Sequence, residues 1–169
     1  TGGEPTLRRD LLDIVDFAHK LGYAMMLQTN GRLFAFEKFC KKIFRYNIKF
    51  SINISGPTAK IHDAVTRSPG SFRQTIKGIK NLHKLGSNIL VKMLLTKSNY
   101  KYLLKTTQFV AKLGIENIWF VFLTPYGSAR DNFDAVVPRY GDVRFSLEQT
   151  MRWLEKNTKV KVSLEGFPP

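Results

Sequence analysis

The sequence predicts an α/β domain built on a parallel sheet with helical crossovers. Three observations lead there. Segments with apolar residues at helical spacing alternate with short strand-like segments along the 169-residue chain. Glycines and other turn residues punctuate the junctions, and no linker or low-complexity tract divides the series. Finally, NIKFSINIS (47–55) is apolar at Ile48, Phe50, Ile52 and Ile54 but polar at Lys49, Ser51, Asn53 and Ser55. A strand between two helical layers should be apolar on both faces. A polar face therefore predicts a barrel whose lumen is open and holds a ligand.

Each element follows from its own pattern. Residues 7–22 carry Leu7, Leu11, Ile14, Val15, Ala18 and Leu21 on one helical face, with Thr6 as N-cap and Gly22 as stop. AMMLQT (24–29) reads as a strand that Asn30-Gly31 turns. Residues 33–44 read as a helix with Leu33, Phe36, Cys40 and Ile43 together, and 47–55 is the alternating strand, broken by GPT. Residues 71–85 place Phe72, Ile76, Ile79 and Leu82 at helical spacing before Gly86. NILVKMLLT (88–96) is a strand with Ile89, Val91, Met93 and Leu95 on one face, and Lys92 and Thr96 on the other. A helix over 100–113 closes at Gly114, and NIWFVFL (117–123) is the next strand. A looser stretch (130–144) leads to a helix near 146–157 and a last strand, KVKVSLE (159–165). The strand-to-helix loops GGEPT, TNG, ISGPT, TKSN and LTPYG hold the unusual residues. Loops at the carboxyl ends of parallel strands share one rim, which is where such folds bind ligands.

Composition narrows the class. Hydrophobic residues make up 43% and charged residues 24%, as in an ordinary globular domain. No apolar run is long enough for a transmembrane helix. Cys40 is the single cysteine, which excludes an internal disulfide and predicts a reducing, cytoplasmic setting. The net charge of +14, from 27 basic and 13 acidic residues, suits an anionic partner, whether a small substrate or nucleic acid. Much of it sits on helices, as in KFCKKIFR and KGIKNLHK, where cations decorate solvent faces between apolar positions.

The opening TGGEPT carries chemistry. Gly2 and Gly3 let a ligand approach the backbone, and Glu4 sets a carboxylate beside exposed amides. Such a loop can hold a zwitterion, the carboxylate taking an ammonium and the amides a carboxylate. It is not a phosphate loop, because no Gly-Lys-Ser/Thr follows.

GGEPTLRRDLLDIV, placed at the head of an alternating chain, resembles the radical S-adenosylmethionine (radical SAM) enzymes. The resemblance continues through LQTNGRLF, through FSINISGPTAKIHD with its downstream Gly-Ser-Phe, and through VKMLLTKSN and WFVFLTPYGSA. It implies a partial TIM-type (β/α)6 barrel. Residues 1–169 would form a single domain, its C-terminal portion, without the first strand, the first helix and most of the second strand. It further implies that Gly2, Gly3 and Glu4 hold the methionine end of SAM. Asn53 and Ser55 fall at polar contacts to its ribose or methionyl group, where members commonly carry Ser and Asp. Thr124 and Pro125 fall where backbone meets the adenine. Thr29 and Lys92 fall at substrate contacts of relatives that make molybdenum cofactor.

The family's 4Fe–4S cluster is held by a Cys-x3-Cys-x2-Cys loop, and that motif is absent. Cys40 lies mid-helix on an apolar stripe, the place of a buried structural thiol, and His19, His62 and His83 have no metal-like spacing with it. The chain is therefore expected to begin inside a longer protein, beyond the cluster loop, and to be inactive alone; its first Met is Met25. The closing EGFPP is expected to be a second internal edge.

Two functions follow. In the first, the intact enzyme, fed by an electron donor, cleaves SAM reductively at the cluster. The 5′-deoxyadenosyl radical then takes hydrogen from a peptide or cofactor precursor, a substrate that could be anionic. In the second, a basic domain binds nucleic acid without redox chemistry, through its charge and through aromatics such as Tyr100 and Tyr102. Neither requires a membrane.

Overall fold

The computed structural model describes residues 3–167. In chain order the helices are α1 (Leu11–Lys20), α2 (Glu37–Phe44), α3 (Ala59–Thr66), α4 (Ser71–Lys84), α5 (Leu103–Lys112), α6 (Ser128–Asp131), α7 (Phe133–Val136) and α8 (Tyr140–Glu155). The strands are β1 (Met26–Thr29), β2 (Lys49–Asn53), β3 (Ile89–Leu95), β4 (Asn117–Phe122) and β5 (Lys161–Glu165). Short 3₁₀ turns occupy Pro5–Leu7, Arg32–Ala35 and Tyr100–Tyr102.

The sheet runs β1-β2-β3-β4-β5, and every neighbouring pair is parallel. This is the α/β arrangement that the alternation predicts. Side chains alternate across each strand. Phe50, Ile52, Val91, Met93, Ile118 and Phe120 point to the helical layer and are all but fully buried. Burying one such side chain contributes roughly 1.5–3 kcal/mol, so this face is the core of the fold.

Several local expectations are corrected. Thr6 does not cap α1. It lies buried in the 3₁₀ turn before it, and Asp10 stands at the cap position with its carboxylate turned to Arg8 and no capping hydrogen bond to the helix. Leu7, Ile14 and Leu21, predicted on the core face, are exposed, leaving Leu11 and Val15 to pack. The helix predicted over 33–44 is split, because Gly31 at φ +76° starts a 3₁₀ turn that shifts the register. Phe34 is thereby buried and Phe36 exposed. α3 was not anticipated, and α8 begins six residues earlier than the apolar pattern suggested.

Cys40 behaves as a structural thiol. It is buried, its Sγ donates to the Phe34 carbonyl at 3.0 Å, and burial pushes its pKa up to about 11. Thiolate is the reactive form. Native protein at neutral pH is thus expected to resist a thiol-specific disulfide reagent, with one equivalent reacting only after urea unfolding. Stoichiometric labelling of the folded protein within minutes would contradict this placement.

Candidate functional site

The carboxyl ends of the five strands form one rim, and the GGEP loop joins it at β1. Gly2 lies outside the described residues; Gly3 is exposed, with open space where a Cβ would stand. Glu4 is half-buried and fixed from several sides. Its Oε1 accepts from the Thr6 hydroxyl at 2.6 Å, the Thr29 hydroxyl at 2.6 Å and the Thr6 N–H at 3.2 Å. Its Oε2 accepts only from the Asn30 N–H, at 2.7 Å, so acceptor capacity remains on that oxygen. Thr29 thus meets Glu4 directly, and its hydroxyl also accepts from the Gly31 N–H at 3.1 Å.

The Asn30-Gly31 turn is held in turn by α4. The Thr75 hydroxyl donates to the Asn30 carbonyl at 2.9 Å. Gly78 packs so closely that a Cβ there would stand 2.2 Å from the Gly31 carbonyl oxygen. A continuous path of contacts therefore runs from α4 through the turn to the Glu4 carboxylate.

At the end of β2, Asn53 Nδ2 donates to Ser55 Oγ at 3.0 Å. That leaves the Asn53 carbonyl oxygen as an acceptor and the Ser55 hydroxyl hydrogen as a donor, side by side. The Ser55 N–H donates to His62 Nδ1 at 3.2 Å, which puts the proton of the neutral ring on Nε2. Asp63 anchors the next turn. It accepts from the Phe72 N–H, the Gly70 N–H and the Ser71 hydroxyl at 2.7, 2.7 and 2.8 Å. It thereby caps α4, whose own N-cap residue is Gly70. The Ile-His-Asp and Gly-Ser-Phe stretches are thus two halves of one clamp behind the β2 rim.

Both clamp residues titrate in the same direction. Burial lowers the pKa of His62 below its ordinary 6.5. The Phe72 N–H, followed by the Ser71 hydroxyl and the Gly70 N–H, lowers that of Asp63 below 3.8. In each case the unfolded chain takes the proton first. Stability is full above the ordinary value and is lost as pH falls through the lowered folded value. The urea midpoint is expected to drop from His62 as pH falls below its ordinary 6.5 and through its lowered folded value, and further in stronger acid from Asp63. His62→Gln should flatten the first limb, and a midpoint equally steep in that variant would remove His62 as its cause.

At β4, Thr124 and Pro125 line a cavity of about 550 Å³ with Phe122, Tyr140, Lys97 and Arg139. Phe122 and Tyr140 stack with centroids 4.1 Å apart. Two strands lie between β1 and β4, so Thr124 stands roughly 14 Å along the rim from Glu4 at ordinary strand spacing. The polar lumen face carries Asn53, Lys92, Trp119 and Ser163 in one row across four strands. Gln28, Ser51, Leu90, Asn117 and Lys161 form the row before it. Lys92 Nζ lies 5.7 Å from the Trp119 ring centroid. Trp119 escaped the sequence reading because it sits in NIWFVF, where an unbroken apolar run hides the alternation.

A family model described as the radical SAM superfamily matches residues 1–110. The chain belongs to the radical SAM superfamily. It is 32% identical over 130 residues to an AdoMet-dependent heme synthase of Oleidesulfovibrio alaskensis, covering 76% of this chain and 33% of that protein. It is 28% identical over 172 residues to an AdoMet-dependent heme synthase of Methanosarcina barkeri, covering 99% and 47%. The chain thus spans half or less of the length of these relatives. Among solved structures, anSMEcpe with bound AdoMet and Cp18Cys peptide superposes at a TM-score of 0.75, with 18% identity over 97% of this chain and 48% of that one. Streptococcus suis SuiB bound to S-adenosylmethionine gives 0.74, with 17% identity over 98% and 38%. These likenesses agree with the radical SAM partial-barrel fold.

Radical SAM proteins use SAM and a 4Fe–4S cluster. The rim suits SAM: it offers a fixed carboxylate at Glu4, paired donor and acceptor groups at Asn53 and Ser55, and a flat-walled cavity beside Thr124 and Pro125. The described residues do not suit a cluster. No group of three or more His, Cys, Asp or Glu among them could hold a metal ion, and Cys40 is buried and protonated. Among the described residues no helix is long and apolar enough to cross a membrane.

Proposed function

We propose that this chain forms the SAM-holding rim and the substrate-facing lumen of a radical SAM enzyme. The observation that carries the reading is the Glu4 carboxylate, immobilised by Thr6, Thr29 and Asn30 with capacity left on Oε2. In this reading Glu4 takes the ammonium of SAM, with Gly2 and Gly3 offering close backbone approach. Asn53 and Ser55 bind the ribose or methionyl portion, and the backbone at Thr124 and Pro125 borders the adenine. Thr29 acts through Glu4 and positions it, while Lys92 meets the substrate. SAM held here would supply the hydrogen-abstracting chemistry, its reduction depending on an electron from a 4Fe–4S cluster for which the described residues offer no ligands. The protein's part is to orient both molecules and to exclude water from the lumen.

Calorimetric titration with SAM tests the reading. Saturable binding is expected. Asn53→Ala should weaken it about fivefold, the worth of one hydrogen bond, and Trp153→Phe, half-buried on α8 beside Ile115 and Glu116 rather than at the rim, should leave it unchanged. No heat of SAM binding to the folded protein would overturn the assignment.

A further inference from the structure

The lumen has chemistry of its own. Its strand-borne side chains include three lysines, Lys49, Lys92 and Lys161, against one carboxylate, Glu165. The ion pairs among the described residues are Arg8–Asp10, Lys20–Asp16 and Arg144–Glu148, so none of the lumen lysines is neutralised. Trp119 is the only aromatic residue at a lumen position of the five strands. It is half-buried rather than packed away, unlike its neighbours Ile118 and Phe120 on the helical side.

Lys92 and Trp119 are register partners on adjacent strands. At 5.7 Å their contact is near the outer limit for a cation over a ring. The ammonium is therefore loosely held, free to turn from the ring to an incoming anion. Asn53 and Ser163 flank the pair in the same row and add neutral hydrogen-bonding groups. Once the ammonium has turned off the ring, the π-face beside an unpaired cation complements a flat ligand with an anionic rim.

We propose that the lumen selects a planar, conjugated small molecule carrying carboxylate or phosphate groups, stacked on Trp119 with its anions on Lys92. This substrate class rests on the function proposed above. Trp119 and Lys92 would act as specificity-determining residues, with Lys161 and Lys49 extending the positive field toward the amino ends of the strands.

A fluorescent probe tests this without turnover. Trp153→Phe leaves Trp119 as the sole tryptophan of the chain. In that background, pyrenetetrasulfonate is expected to quench Trp119 saturably. Its dissociation constant should rise about tenfold in Trp119→Leu, followed by probe anisotropy, and about fivefold in Lys92→Gln. Trp119→Phe, which keeps a ring, should stay within about twofold. Neutral pyrenemethanol and inorganic triphosphate should each bind about tenfold more weakly than the probe. Equal binding of triphosphate, or an unchanged constant in folded Trp119→Leu, would overturn the proposal. If Trp119→Leu does not fold, the quenching and the Lys92→Gln shift decide alone. Absence of SAM binding with probe binding intact would sink the function above while leaving the lumen's selectivity in place.

Discussion

Gly78→Ala is expected to destabilise the protein by about 2 kcal/mol, against the usual sense of such a change in a helix. Glycine to alanine inside a helix ordinarily gains about 1 kcal/mol. Here the added methyl would stand 2.2 Å from the Gly31 carbonyl oxygen and 3.1 Å from Phe34 Cβ. The first of these is backbone and cannot rotate away, so α4 or the turn must move. Forcing a methylene into a packed site costs about 1–3 kcal/mol and occasionally more, and the upper end applies when backbone is struck. The urea midpoint should fall with an unchanged slope, and Tm should drop by several degrees for a domain of this size. SAM affinity should fall as well, because the displaced turn carries the Asn30 N–H that holds Glu4. A stability equal to or above that of the parent would mean that α4 does not seat on the turn as described.

The second large effect is expected at Glu4. Glu4→Ala should weaken SAM binding by about 1.5–3 kcal/mol, the worth of a charge-assisted hydrogen bond, which is roughly tenfold to over a hundredfold. Part of that loss is indirect. Thr6, Thr29 and Asn30 would lose their common acceptor, and the Thr6 and Thr29 side chains are buried. Glu4→Gln separates the contributions, since it keeps an acceptor oxygen but removes the charge. If Glu4 meets an ammonium, the glutamine variant should bind SAM nearly as poorly as the alanine variant while recovering most of the stability. If the carboxylate only braces the loop, the glutamine variant should recover affinity and stability together.

The fold was legible where apolar spacing was regular. Ile89, Val91, Met93 and Leu95 alternate cleanly, and β3 falls where they predict it. α8 was misplaced because its buried face uses Ser146 and Thr150 beside Val143 and Leu154, and small polar residues leave no apolar stripe to read. α3 was missed because its buried residue is His62. The rim was legible as a set of loops, since parallel strands must end together. Which partner each side chain would choose was not, because the Glu4–Thr29 and Asp63–Phe72 bonds join positions that only tertiary packing brings together. Trp119 and Gly78 gave no signal, one hidden in an apolar run and the other resembling any helical glycine.

The order of the strands bears on how the molecule comes into being. Each strand pairs with the one made just before it, from β1 through to β5. Parallel pairing usually slows folding, because distant segments must meet before any contact rewards them. Here each closure spans only the helical segment between successive strands, and its entropic cost grows slowly with that length. During synthesis, a new strand can therefore dock on the edge of its predecessor, and the crossover helix between them can cover the apolar face, before the next strand emerges. The nascent chain would then assemble as a ratchet from its amino-terminal side, each new strand pairing with the open edge of its predecessor before neighbours on the polysome can do so.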